Sequence, residues 1–247
     1  MKIKKFIIKF FRFIGLNISR YYPSSSPEAQ LNKVLELLKI NVVFDIGANE
    51  GQFGCNIRNF GFGGKIVSFE PLTSARTKLM GLAEREKNWV IHKQCALGNK
   101  NGEIEINIAK NSVSSSILPM LKSHLNADNE SVYIGKERIP IERLDSIASH
   151  YFNADSNLFI KIDTQGYEKE VLDGAKETLK RAKGILCELS LTLLYEGQYL
   201  WRDIVKRLDE EGFVIWALQK GFTNLRTGQT LQIDAIFLRR DQIKKEI

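Results

Sequence analysis

The chain has 247 residues, 43% apolar and 26% charged, with 18 Gly and 5 Pro; this composition excludes a disordered chain, a collagen-like repeat and a disulfide-built miniprotein. Three cysteines, Cys55, Cys95 and Cys187, are an odd number without a C-x-x-C pair, so neither a disulfide framework nor a zinc ribbon is expected, and a reducing cytoplasmic compartment fits. The formal net charge is +7, yet residues 1–20 alone hold Lys2, Lys4, Lys5, Lys9, Arg12 and Arg20 and no acid; the near-neutral remainder lacks the spread basic face of a nucleic-acid enzyme.

In chain order, residues 1–18 come first. Ile3, Phe6, Ile7, Phe10, Phe13 and Ile14 recur at helical spacing, with Lys2, Lys5, Lys9 and Arg12 on the other side, which predicts a basic amphipathic helix. Charges interrupt the apolar stretch too often for a secretory signal or a bilayer span. The apolar stripe needs a cover: an anionic membrane surface at the cytoplasmic face, the protein's own core, or a second subunit in a homodimer.

Residues 19–39 read as a Pro/Ser-rich linker and a leading helix, with Ser26 as N-cap, Pro27 at the first helical position and Leu31, Val34, Leu35 and Leu38 facing inward. Apolar runs at Val42–Ile46, 66–69, 90–97, Leu158–Ile162 and 185–189 then alternate with helical segments at 51–60, 74–86, 167–181 and 199–211. Continuous apolar strands separated by amphipathic helices predict an α/β domain over residues 40–240, with a parallel sheet buried on both faces. Residues 98–144 are more polar and read as an insertion of short strands and loop, a natural substrate lid. Strands at 213–218 and 231–238 have only a turn-rich connection and should be antiparallel neighbours. Residues 241–247 form a tail.

The chemistry concentrates at strand ends. VVFDIGANEGQFG (42–54) is a strand ending in Asp45, a Gly loop and a helix start, the place where an α/β sheet receives a nucleotide-like cofactor. Counting from Gly47, the dinucleotide pattern G-x-G-x-x-G fails at Asn49 and Gln52, and no P-loop lysine follows. A nucleoside cofactor without phosphates fits better. Glu70, ending the next strand, can accept hydrogen bonds from both ribose hydroxyls.

DIGANEGQFG, SFEP, CALG, KIDTQGYEKEVLDGA and QIDAIFLRR, in that order over residues 40–240, resemble the FkbM-type family of S-adenosylmethionine-dependent methyltransferases. The resemblance implies a Rossmann-like class I methyltransferase fold: a seven-stranded, mostly parallel sheet with an antiparallel last strand and helices on both faces. It also implies S-adenosyl-L-methionine as cofactor and O-methylation of a hydroxyl on a sugar or polyketide. By position, Asp45, Gly47, Ala48, Asn49 and Gly51 would hold the methionine half of the cofactor, Glu70 the ribose, and Cys95 and Ala96 the adenine edge. QCALG offers no acid there, so backbone contacts to adenine are expected. The family's Ser-rich region corresponds to SVSSSIL, which brings Ser115 or Ser116 near the site.

Asp163, ending the fourth strand beside the first, is the expected general base for the acceptor hydroxyl; as a residue before a Gly turn it also reads as a helix cap. Glu188 is a second acid directed at the cleft, and His124 is the second choice of base. Asp163 and Glu188 could share acceptor binding or together hold a divalent cation, but two carboxylates without a third visible ligand are weak evidence for metal, and none is assigned. The leading function is an O-methyltransferase acting on a surface-glycan or glycolipid intermediate. A nicotinamide-dependent sugar oxidoreductase is opposed by Asn49 and by the missing Tyr-x-x-x-Lys pair, and an adaptor without turnover is opposed by intact Asp45, Glu70 and Asp163.

Overall fold

The computed structural model describes residues 2–16, 18 and 21–246, with side chains described from residue 7 to residue 243 of that set. Helices α1 (Lys2–Phe13) and α2 (Pro27–Leu37) precede β1 (Val42–Ile46), α3 (Gln52–Asn59), β2 (Lys65–Phe69), α4 (Thr73–Ala83) and β3 (Trp89–Ile91). The middle of the chain gives β4 (Ala96–Leu97), β5 (Gly102–Ala109), α5 (Lys122–Ala127), β6 (Tyr133–Glu142) and α6 (Leu144–Ile147). The last part gives β7 (Leu158–Ile162), α7 (Glu168–Asp173), α8 (Lys176–Arg181), β8 (Ala182–Ser190), α9 (Trp201–Glu210), β9 (Phe213–Lys220), β10 (Gln232–Arg239) and α10 (Arg240–Glu246).

The main sheet has seven strands in the order β3-β2-β1-β7-β8-β10-β9. Its strands run parallel except β10, which inserts antiparallel between β8 and β9. Every residue of β1 and of β7 is buried, because helices cover both faces. Alternate side chains divide between two cores: Phe44, Val67 and Ile160 join α7, α8 and α9 on one face, whereas Val43, Ile66 and Phe159 meet α2, α3 and α4 on the other. Helix α2 starts as its sequence dictates, with Ser26 Oγ accepting the Ala29 N–H at 3.3 Å and Pro27 in the first turn.

Several expectations are corrected. Residues 90–97 are not one strand: β3 ends at Ile91, and the chain crosses to β4, which pairs with β6 in a second sheet ordered β4-β6-β5. The 98–144 insertion is accordingly built on two long strands rather than short ones, with eight residues in β5 and ten in β6. The single helix expected at 167–181 is broken at Gly174, where a Cβ would lie 1.9 Å from the Gly98 carbonyl oxygen. A new helix then starts under Asp145, whose Oδ1 accepts Thr178 N–H at 2.8 Å and whose Oδ2 accepts Glu177 N–H at 3.1 Å. The tail is helical, and Ile243 of α10 packs against the α2–α4 core.

Helix α1 forms as periodicity predicts. None of its side chains from residue 7 onward is buried, and Phe10 and Phe13 are 53% and 88% exposed. The protein's own core therefore does not cover this stretch of the stripe. No described helix is long and apolar enough to cross a membrane.

Candidate active site

The carboxyl ends of β1, β2, β7 and β8 converge because these strands pair in register: Asp45 of β1 faces Ser68 of β2 on one side and Lys161 of β7 on the other. A cavity of about 480 Å³ opens above them. Its first wall is the loop after β1. Gly47 has φ +73° and packs so tightly that a Cβ would lie 1.8 Å from the Asp163 carbonyl oxygen. Asn49 also has positive φ, at 48°.

Four of the loop's N–H groups have acceptors within the protein. Gly47 and Ala48 donate to Phe69 O at 3.1 and 3.2 Å, Gly51 donates to Ala48 O at 2.9 Å, and Asn49 donates to Glu70 Oε2 at 2.7 Å. These four N–H groups are therefore not free to cradle a phosphate. Glu70 is buried, and its Oε1 accepts Leu72 N–H at 2.9 Å. Burial raises its pKa to about 7, against the lowering effect of these two N–H bonds. Each carboxylate oxygen keeps a lone pair for a ligand hydroxyl.

Beneath the loop lies Lys161. Its Nζ sits 3.3 Å from Asp45 Oδ1 and 3.5 Å from Asp163 Oδ2 and donates to Gly47 O at 2.7 Å. Burial works against its charge, but Asp163 and Asp45 outweigh that and its pKa rises. Asp45 is fully buried, and burial raises its pKa despite Lys161. Its Oδ1 contact is an ion pair rather than a directed hydrogen bond.

The other end of the cavity is lined by Asp163, Gln165, Glu188, Gln232 and Asp234. Gln165, at φ 54°, is the joint: its Nε2 donates to Asp163 Oδ1 at 2.8 Å and Glu188 Oε2 at 2.9 Å, and its Oε1 accepts from Tyr195 Oη at 3.0 Å. Gln232 Nε2 donates to the same Glu188 oxygen at 2.6 Å. Burial, then Asp163 and Glu168, push Glu188 well above the usual carboxylate range, and burial lifts Asp234 to about 6. The Ser-rich loop straps across both ends, with Ser112 Oγ donating to Asn49 Oδ1 at 3.2 Å and Ser116 Oγ to Gln165 O at 2.7 Å.

Of the residues singled out in the sequence, Gly47, Ala48, Asn49, Glu70, Cys95, Ala96, Ser115, His124, Asp163 and Glu188 line this one cavity. Two do not. Asp45 lies below it, drawn to Lys161, and Gly51 sits against Leu79, Leu82 and Trp89, where its φ of +96° turns the chain into α3. Ser115 Oγ accepts Ala109 N–H at 3.0 Å. His124 is buried between Tyr195 and Phe222, and that burial lowers its pKa to about 4. Sequence reasoning missed Lys161, Gln165, Gln232 and Asp234. For Lys161, Gln232 and Asp234 the available signal was a polar residue within an otherwise apolar strand, whereas Gln165, in the turn after β7, carried none.

A mostly parallel sheet of this order, closed by an antiparallel last strand and carrying a ligand-sized cavity at its carboxyl edge, defines a Rossmann-like methyltransferase. The chain belongs to the methyltransferase FkbM domain family, whose model matches residues 45–215. It is a methyltransferase, and its methyl donor is S-adenosylmethionine. The 2-O-methyltransferase NoeI of Sinorhizobium fredii is 29% identical over 176 residues, which cover 68% of this chain and 70% of that protein. The methyltransferase FkbM of Methylobacillus flagellatus KT is similar over 79% of this chain but only 43% of its own, at 13% identity and a TM-score of 0.48. Magnesium protoporphyrin IX methyltransferase of Synechocystis PCC 6803, solved with bound SAM, is similar over 96% of both chains, at 11% identity and a TM-score of 0.45.

Proposed function

We propose that this enzyme O-methylates a ring hydroxyl of a sugar within a glycan or glycolipid intermediate. The observation that carries this reading is the cavity's polar end, where Asp163, Gln165, Glu188, Gln232 and Asp234 stand together. Alternating carboxylates and amides match the donors and acceptors of a polyol and offer little to a planar apolar acceptor. A relative whose name specifies 2-O-methylation supports the same chemistry.

In this reading Gly47, Ala48 and Asn49 would hold the methionine half of the cofactor, Glu70 would take its ribose hydroxyls, and Cys95 and Ala96 would border its adenine. S-adenosylmethionine supplies an electrophilic methyl on a sulfonium. An alcohol is a poor nucleophile until its proton is removed, and Asp163 takes that proton as the oxygen gains the methyl group, leaving a neutral thioether. Lys161 and Gln165 hold one oxygen of Asp163 each and so fix its direction. Glu188 binds a neighbouring hydroxyl, since Gln165 and Gln232 occupy only its Oε2. With a pKa near 4, His124 is a weak base and ranks behind Asp163. Residues 98–144 supply the wall that closes over the acceptor, through the strap between Asn49 and Gln165.

Helix α1 places the enzyme on the anionic cytoplasmic membrane face, with Ile7, Phe10, Phe13 and Ile14 inserted and the basic residues at the headgroups. The deciding experiment supplies the full-length enzyme with S-adenosylmethionine and a panel of free sugars, nucleotide sugars, lipid-linked oligosaccharides, phenols, carboxylic acids and amines, and follows release of S-adenosylhomocysteine. Methyl ether formation on a ring hydroxyl, located by mass spectrometry, is expected. Turnover confined to phenols, acids or amines would overturn the sugar assignment.

A further inference from the structure

His92 plays no part in the chemistry above, yet its surroundings are unusual. It follows β3 and is buried, and its Nε2 has no hydrogen-bond partner. A buried polar atom without a partner calls for an explanation. Tyr151 Oη lies 2.5 Å from the other ring nitrogen, Nδ1. With the Nδ1 proton donated to that oxygen, Nε2 presents a bare lone pair. Facing it are Cys95, fully buried just before β4, and Glu142 at the end of β6; the three ligand atoms all lie within 4.8 Å of one another.

We infer that His92, Cys95 and Glu142 form a binding site for a borderline-soft divalent cation of the Zn²⁺ type, with water as fourth ligand. One nitrogen, one sulfur and one oxygen donor suit zinc and are a poor match to Mg²⁺ or Ca²⁺, which prefer all-oxygen sets. In a tetrahedral site with bonds of 2.0–2.3 Å the ligand atoms stand roughly 3.3–3.8 Å apart, so closure takes about 1 Å of side-chain movement.

The surroundings are prepared for this occupant. Tyr151 orients the imidazole through Nδ1, the ring nitrogen whose outer-shell hydrogen bond fixes the tautomer of a metal-bound histidine. Lys93 Nζ holds Glu142 Oε1 at 2.7 Å, which leaves Oε2, 3.9 Å from Nε2, to the cation. The partly exposed side chain of Glu142 gives entry and room for water. Burial holds the Cys95 thiol up at about 12, so it is protonated when no cation is bound, and coordination releases that proton. The cation would tie together the β3 end, the turn into β4 and the β6 end, three segments drawn from both sheets. Cys95 also lines the cofactor cavity, so the cation would stiffen that wall without touching the methyl-transfer end. The inference does not depend on which acceptor is used.

The test titrates full-length, reduced protein with Co²⁺ and Zn²⁺. One equivalent of Co²⁺ should produce a near-ultraviolet thiolate-to-cobalt charge-transfer band that Zn²⁺ displaces. Cys95→Ser should abolish the band and Cys55→Ser should keep it. His92→Gln and Glu142→Gln should each weaken Zn²⁺ binding tenfold or more, in line with loss of one ligand. Absence of the band in wild type, or its survival in Cys95→Ser, overturns the site. If Cys95→Ser fails to fold, X-ray absorption of zinc-loaded wild type decides: one sulfur at about 2.3 Å with nitrogen and oxygen donors supports it, and a shell of nitrogen and oxygen alone overturns it.

Discussion

Lys161 reaches Asp163 at 3.5 Å from beneath the cofactor loop, while the same ammonium neutralises Asp45 at 3.3 Å. One buried cation therefore holds the acid in the cavity and the acid under its floor. Replacing it leaves Asp45 buried and unpaired, a change that typically costs about 3–5 kcal/mol. Lys161→Met should destabilise the protein by about that amount in urea unfolding. Adding Asp45→Asn should restore a large part of the loss, because a neutral amide no longer needs the cation. Equal stability of the single and double variants would show that the pair is not coupled.

Asp163→Asn separates catalysis from architecture. The amide keeps the shape of the side chain but cannot take the hydroxyl proton, so turnover should fall by about two orders of magnitude or more. Affinity for S-adenosylhomocysteine and the melting temperature should change little. A capping role predicts normal turnover, since Asn also caps helices. Chelator-sensitive wild-type turnover, restored by added divalent cation only when Asp163 is intact, would assign it to a metal instead.

Glu70→Ala tests the ribose assignment. Loss of hydrogen bonds from a charged acceptor should weaken S-adenosylhomocysteine binding by about 1.5–3 kcal/mol, or roughly 10- to 150-fold. Calorimetry reads this directly, and NAD should give no heat with either protein. Unchanged affinity would move the ribose elsewhere in the cavity.

Glu168 gives a pH signature. Its Oε1 accepts bonds from the backbone N–H groups of Thr164 and Gly166 and from Thr164 Oγ1, at 3.0, 3.0 and 3.2 Å. Burial nevertheless raises its pKa from 4.5 to about 7. A carboxyl raised in this way contributes stability that is complete below its unfolded value and is lost as pH climbs to its folded value. Glu168→Gln keeps an oxygen for the same donors and cannot ionise. Relative to that variant, wild type should lose about 3 kcal/mol between pH 4.5 and 7 and then level off. A constant difference across this range would refute the shift.

Removal of residues 1–18 should leave S-adenosylhomocysteine affinity intact and abolish salt-sensitive co-sedimentation with anionic liposomes. Indifference of the full-length protein to liposomes, with a monomer–dimer difference between the two forms, would assign the stripe of α1 to a second copy.

The elements most legible in the sequence are those whose signals are local. Val42–Ile46 and Leu158–Ile162 are apolar but for one charged residue each, Asp45 and Lys161, and both strands occur with those bounds. Ser26 and Pro27 announce the start of α2, and a cap needs only three or four consecutive residues. The residues of the candidate site were legible for a related reason: an acid or a Gly at the end of a buried strand is visible without knowing which strand lies beside it. Glu70, Asp163 and Glu188 stand out in this way, and all three line the cavity.

What tertiary structure alone decided are relations between residues far apart in the chain. Residues 90–97 read as one strand in the sequence, and only the pairing of Ala96 and Leu97 with Ile141 and Glu142 divides them between two sheets. Gly174 ends α7 where the chain passes so close to Gly98 that only a glycine fits. Asp45 leaves the cavity because the β1–β7 register sets Lys161, 116 residues away in the chain, directly beside it. Hydrophobic periodicity reports which side of an element is apolar and carries nothing about the partner that covers it. The places of Lys161, Gln165 and the His92–Cys95–Glu142 cluster follow from strand order and register, and a single sequence does not encode these in any local pattern.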